Sequence, residues 1–272
     1  MGLRVNTNVA ALTSQRNLGA VTGRLQGNFA RLSSGMRIAT AADDAAGLGI
    51  SERMRAQVRS FTVASRNAQD GVSLVQTAEG ALQEVSNNLT RMRELAVQAS
   101  NGTLTTQDRA TLDTEFQALV TEIDRVSSQT TFNGVNLLDG TTTSLSVQVG
   151  TDAGESIALS LSDTTSTGLS IGSADVTTAA NAASALSTID SAIDSVTTAR
   201  GTLGASQNRL TSAISSILNT RENLSAAESR IRDVDVAIET ADLTRNSILQ
   251  QAAVSVLSQA NVQPQLALSL LG

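Results

Sequence analysis

The chain has 272 residues, a net charge of −6, and 40% hydrophobic against 16% charged residues, with no Cys, His, Trp or Tyr, only 4 Phe, and Arg as its sole basic residue. Those absences remove imidazole and thiolate metal sites, Ser-His and Cys-His nucleophile pairs, lysine Schiff bases and the phosphate-loop lysine, leaving only carboxylate chemistry. A structural or interaction protein without cofactors is therefore expected: its acidic balance disfavours nucleic acid, and no apolar run is long enough to span a membrane.

The opening residues lack the basic and apolar regions of a secretory signal, and none is expected. Leu18, Val21, Leu25, Asn28 and Leu32 then form a short helical seam, interrupted at Ser33-Ser34-Gly35. A loop rich in Ala, Asp and Gly is expected to about Gly49. The second helical run carries Val72, Val75, Ala78, Leu82, Val85, Leu89, Met92, Ala96 and Ala99, and Asn101-Gly102 is its stop signal. A third carries Arg109, Leu112, Phe116, Leu119, Ile123 and Val126, with Thr105 and Asp108 placed as a capping box.

No basic residue lies between Val126 and Ala199, and Ser, Thr, Gly and Asp dominate there. The alternations Leu145, Val147, Val149 and Ile157, Leu159, Leu161 flank Gly150-Thr-Asp-Ala-Gly154 and predict a β-hairpin. The Ser/Thr-rich stretch 141–178 reads as a soluble polar surface. A heptad seam follows through Leu186, Ile189, Ile193, Val196, Arg200, Leu203, Gln207, Leu210, Ile214, Ile217, Arg221, Leu224, Glu228 and Ile231, roughly 65–70 Å of helix. Its phase slips at Val234, read as a domain boundary inside one nearly continuous helix. Pro264 is expected to end the helical run before the tail Gln265–Gly272.

These residues carry a resemblance. Val5-Asn-Thr-Asn-Val-Ala-Ala-Leu-Thr-Ser-Gln-Arg-Asn-Leu18, Leu32-Ser-Ser-Gly-Met-Arg-Ile38 and Ala42-Asp-Asp-Ala-Ala-Gly-Leu48 closely resemble the start of bacterial flagellins. Arg93-Glu-Leu-Ala-Val-Gln98, Glu122-Ile-Asp-Arg-Val126 and Phe132-Asn-Gly-Val135 match farther on. So do Glu222-Asn-Leu-Ser-Ala-Ala-Glu-Ser-Arg-Ile-Arg-Asp233 and Gln259-Ala-Asn-Val-Gln-Pro-Gln265 near the end.

The resemblance implies a mainly α fold: a long antiparallel helical coiled-coil rod with a small β-hairpin region, its N- and C-terminal helices paired as a filament core. Residues 1–43 and 234–272 would form that core domain and 44–233 the rod, with the hairpin region at about 131–178. It also implies a non-enzymatic subunit of the extracellular flagellar filament, exported unfolded through the flagellar type III apparatus, whose termini fold on assembly. The partners implied are copies of itself, an export chaperone, the filament cap and the hook–filament junction proteins.

By this reading Val9, Leu12, Leu18, Val21, Leu25, Leu32, Val234, Ile238, Ile248 and Val256 carry core assembly. Gly19, Gly23 and Gly27 line one helical face, where they either permit close helix packing or are simply tolerated. Asp43 and Asp44 read as a connector between core and rod, with an acid pair as the lesser alternative. Arg91, Leu95 and Glu115 match positions that in many flagellins contact an innate Toll-like receptor, and the same surface packs between subunits; Thr90 stands where receptor-activating members often carry Gln. Rival readings are a hook–filament junction protein and a secreted coiled-coil effector or translocator.

Overall fold

The computed structural model describes residues 7–269. Residues 1–6, with Val5 and Asn6 of the family-like opening, and residues 270–272 of the expected tail lie outside the described residues. In chain order come α1 (Val9–Ser34), α2 (Ala45–Ala99), α3 (Thr106–Gln129), β1 (Thr131–Phe132), β2 (Val135–Asn136), β3 (Ser144–Gln148), β4 (Ser156–Ser160), α4 (Ala179–Arg232) and α5 (Val236–Ser269). They divide into two compact units. One takes the chain up to Ala56 and from Asn223 onward; the other is Gln57–Glu222.

The second unit holds the larger apolar core. Along α2, Val75, Ala78, Leu82, Val85, Leu89, Met92, Ala96 and Ala99 are all buried, and only Val72 of the expected series is half-buried. The capping box of Thr105 and Asp108 opens α3 as expected. Arg109, expected on the apolar seam, instead closes the end of α2: its Nε donates to the Ala99 carbonyl at 2.8 Å and its Nη2 to that of Asn101 at 2.9 Å. Those carbonyls have no helical partner, and a guanidinium fork can serve both.

The seam of α4 lies partly one residue earlier than the heptad reading placed it. Its buried positions are Ala182, Ala185, Ile189, Ala192, Val196, Ala199, Leu203, Ser206, Leu210 and Ile217. From Ala185 to Leu210 every second place goes to Ala or Ser, which leaves room for the Leu, Val and Met side chains of α2. Leu186 and Ile193 pack partly buried beside the core. Arg200 lies off the seam, pairing with Glu79 at 2.8 Å while Arg93 pairs with Asp190 at 2.7 Å, so the two helices run antiparallel here.

The predicted hairpin forms, with Leu145 opposite Leu159 and Val147 opposite Ile157. Val147, Ile157 and Leu159 turn into the core. A smaller hairpin, β1–β2, was not expected; Asn133 (φ 49°) and Gly134 (φ 79°) make the two-residue turn whose handedness suits antiparallel strands. The stretch 141–178 is polar in composition but partly buried within the chain. Leu161, Leu169, Ile171 and Val176 are buried, and α3 ties this segment down with polar side chains. Asp124 accepts from Ser166 N at 2.7 Å, Asp113 from Val176 N at 3.0 Å, and Ser127 Oγ donates to the Thr164 carbonyl at 2.9 Å.

In the first unit α1 and α5 pair, and the phase slip is a true break. The chain leaves α4 at Arg232 and re-enters helix at Val236, where Asp235 accepts from Ala237 N and Ile238 N at 2.9 and 3.1 Å as a new cap. The freed backbone pairs with the link after α1: Arg37 N donates to the Arg232 carbonyl at 2.7 Å and Val234 N to that of Gly35 at 3.1 Å. α2 starts at Ala45, ahead of the expected Gly49, because Asp44 caps it. Nor does Pro264 end the helix: α5 continues to Ser269.

Candidate assembly surface

The residues expected to carry assembly fall into two sets. Val21 is buried and Leu18, Leu25, Leu32 and Val234 are half-buried within the first unit. Val9, Leu12, Ile238, Ile248 and Val256 lie open, 55–63% exposed. Val236, Leu249, Val254 and Val262 are open as well. On α5 these residues ring the helix; they do not form one stripe, and no charged residue occurs from Asn246 to Ser269. A helix apolar all round belongs in an enclosed setting, and α1 covers only one side of it.

The covered side carries a polar cluster that the helical spacing did not reveal. Asn28, Glu239 and Asn246 are each 7–8% exposed. Asn28 Nδ2 donates to Glu239 Oε1 at 2.7 Å, Asn246 Nδ2 donates to Asn28 Oδ1 at 3.0 Å, and Arg31 Nη1 lies 3.9 Å from the same Glu239 oxygen. A second polar link, Asn8 Nδ2 to the Ala260 carbonyl at 2.8 Å, sits at the other end of α1. Both links hold only in one antiparallel register, so they specify the pairing that apolar contacts alone leave loose. Asn28 stood in the expected seam as its one polar member. That was the available signal, but its partners lie more than 200 positions away.

Gly19, Gly23 and Gly27 do not serve the α1–α5 contact. A Cβ built at any of them meets nothing within 4 Å. They share the outward face of α1 with Val9 and Leu12, by helical spacing. Asp43 and Asp44 each hold backbone. Asp43 Oδ2 accepts from Thr40 N at 2.9 Å, Thr40 Oγ1 at 3.0 Å and Ala39 N at 3.2 Å. These bonds, Thr40 N–H foremost, hold its carboxyl below the ordinary value. Asp44 Oδ1 accepts from Gly47 N at 2.9 Å. Gly47 has no room for a side chain: a Cβ there would strike the Asp44 carboxylate and stand 2.8 Å from Ile38 Cδ1.

In the second unit Arg91 bonds Glu94 and Glu115, at 2.9 and 2.8 Å, all three exposed. Leu95 is 1% exposed and belongs to the core, so it is removed from the expected contact surface.

A completed core in one unit, and in the other a helix pair with most of its apolar surface uncovered, define a subunit made to assemble. The comparisons with known proteins name the kind. The model of the bacterial flagellin N-terminal helical region matches residues 5–143, and that of the C-terminal helical region matches residues 186–271. A flagellin of Halalkalibacterium halodurans is 51% identical, over 98% of this chain and 99% of its own length. One of Bacillus subtilis is 44% identical over 99% and 100%. The crystal structure of Bacillus cereus flagellin is similar at a TM-score of 0.52 and 34% identity, covering 60% of this chain and 94% of that one. The chain belongs to the bacterial flagellins, and as such is a structural subunit of the flagellar filament and not an enzyme.

Proposed function

We infer that this flagellin polymerises with copies of itself through α1 and α5, into a filament outside the cell. The observation that carries this reading is the open apolar surface of the pair, with Val9, Leu12, Ile238, Ile248 and Val256 more than half exposed in the single chain. Burial of one such Val, Ile or Leu side chain is worth about 1.5–3 kcal/mol, and a polymer repeats the gain at every subunit.

The assembly domain takes residues 1–43 and 234–272, and the outer domain 44–233. The helix breaks at 35–44 and 233–235, stitched to each other, support those bounds. Gly19, Gly23 and Gly27 admit a neighbour's backbone on the outward face of α1. In the free monomer both terminal helices are loose, because isolated helices are marginal in water and these two cover only part of each other. Loose ends suit export of an unfolded chain through the flagellar type III apparatus. A chaperone covering the C-terminal region, the filament cap and the hook–filament junction proteins complete the set of partners, and the Arg91–Glu115 surface is where a host Toll-like receptor would touch. Support for these partners comes from the resemblance between sequences.

Ile248→Glu tests the reading. On seeded polymerisation it raises the critical concentration roughly tenfold or more, the loss of one buried Ile, and leaves the thermal unfolding of residues 57–222 unchanged. Filaments growing at the parental concentration would remove α5 from the interface.

A further inference from the structure

Pro264 brings no N–H to the helix that runs through it, so the carbonyl of Ala260, one turn earlier, is deprived of its helical partner. That carbonyl is nevertheless satisfied. Asn8 Nδ2 donates to it at 2.8 Å, from 252 positions away in the chain. Ala260 is 7% exposed, which leaves water little access to do the same. The other side-chain atom of Asn8, Oδ1, accepts from Ala11 N at 3.0 Å and caps α1. One amide therefore opens α1 and mends α5. An aspartate could perform the first task but not the second, since a carboxylate has no donor.

We propose that Asn8 is a positioning residue for polymerisation, acting through Pro264: α5 stays helical beyond Ala260 only while α1 is seated against it. When α1 leaves, the Ala260 carbonyl loses its donor and the proline breaks the helix, as its sequence position alone predicts. The end of α5 is then offered to a neighbouring copy only by a subunit whose two ends have already paired. This rests on the reading that the filament grows through the terminal helices.

The test uses four full-length chains: the parent, Asn8→Asp, Pro264→Ala, and both changes together. Asn8→Asp keeps the cap and deletes the donor. Pro264→Ala returns an N–H to Ala260 from within its own helix. Critical concentration on parental seeds is measured for each, with amide exchange of residues 261–269 in pelleted filaments. In the parental background Asn8→Asp raises the critical concentration roughly fivefold to tenfold, the size of one lost hydrogen bond. It also speeds exchange at 261–269 without speeding it in the first turn of α1. In the Pro264→Ala background the same change has an effect of less than about twofold on either quantity. Parental behaviour of Asn8→Asp, or a defect undiminished by Pro264→Ala, would overturn the proposal. Failure of the parent itself to grow on seeds would instead strike the terminal-helix reading, and this inference with it.

Discussion

Asp43 and Asp44 are adjacent, yet each holds a different piece of backbone. Asp44 starts α2, while Asp43 closes the turn before it by accepting three hydrogen bonds from Ala39 and Thr40. A carboxylate that gains such bonds on folding has its pKa depressed below the ordinary 3.8. Its contribution is therefore complete above that value and is lost as pH falls through the lower, folded one. Asp108, on Thr105, is shifted in the same direction. Urea unfolding of the monomer followed from neutral pH into strong acid checks this. The parent loses stability below about pH 4, and Asp43→Asn, weaker at neutral pH, converges on the parent there. A constant difference between the two at every pH would show that ionisation of Asp43 has no part in holding the link.

Among the elements, α4 differs most from its sequence pattern. The heptad reading took the bulkier member wherever two neighbours competed, and the structure buries Ala192 in place of Ile193 and Ala199 in place of Arg200. Ala192→Leu should then overfill the contact with α2 and cost about 1–3 kcal/mol, whereas Ile193→Ala, at a flanking site, should cost less. Chemical denaturation of the full chain separates them; the reverse order would restore the heptad seam.

Where Leu, Val and Met mark a face, as Leu82, Val85, Leu89 and Met92 do on α2, helix and face were both legible, and Ala78, Ala96 and Ala99 fell into line with them. Where Ala or Ser competes with a bulkier neighbour, as on α4, hydrophobicity ranks it too low to be chosen. The hairpin of β3 and β4 showed through its alternation. The shorter one was written in Asn133-Gly134, but its strands are too short to alternate. The break at 233–235 was legible as a phase slip, yet its depth was not, because the diverted backbone pairs with residues 35–37. The polar links Asn8–Ala260 and Asn28–Glu239–Asn246 were hidden for the same reason: each joins α1 to α5, and neither segment alone shows its partner. The open apolar faces were the most legible part of the candidate surface, since Val and Ile declare themselves wherever they stand.

Taken whole, the molecule has one unit with a finished core and one whose helices need covering. Residues 57–222 bury large side chains from three helices and a hairpin, and most of the exposed large hydrophobic residues lie outside that range. Assembly through the terminal helices predicts a separation along the chain: substitutions in the buried core of 57–222 should act on unfolding, and substitutions on the outer faces of α1 and α5 should act on growth. Gly19, Gly23 and Gly27 are predicted to fall in the second class, since a Cβ added at any of them meets nothing within 4 Å. The most direct measurement is electron microscopy of purified protein after seeding with short filament fragments, beside a chain lacking residues 234–272. Long helical filaments from the full chain and none from the shortened one are the predicted result. A full chain that stays monomeric or closes into small rings, or a shortened chain that still grows filaments, would contradict assembly through the paired terminal helices.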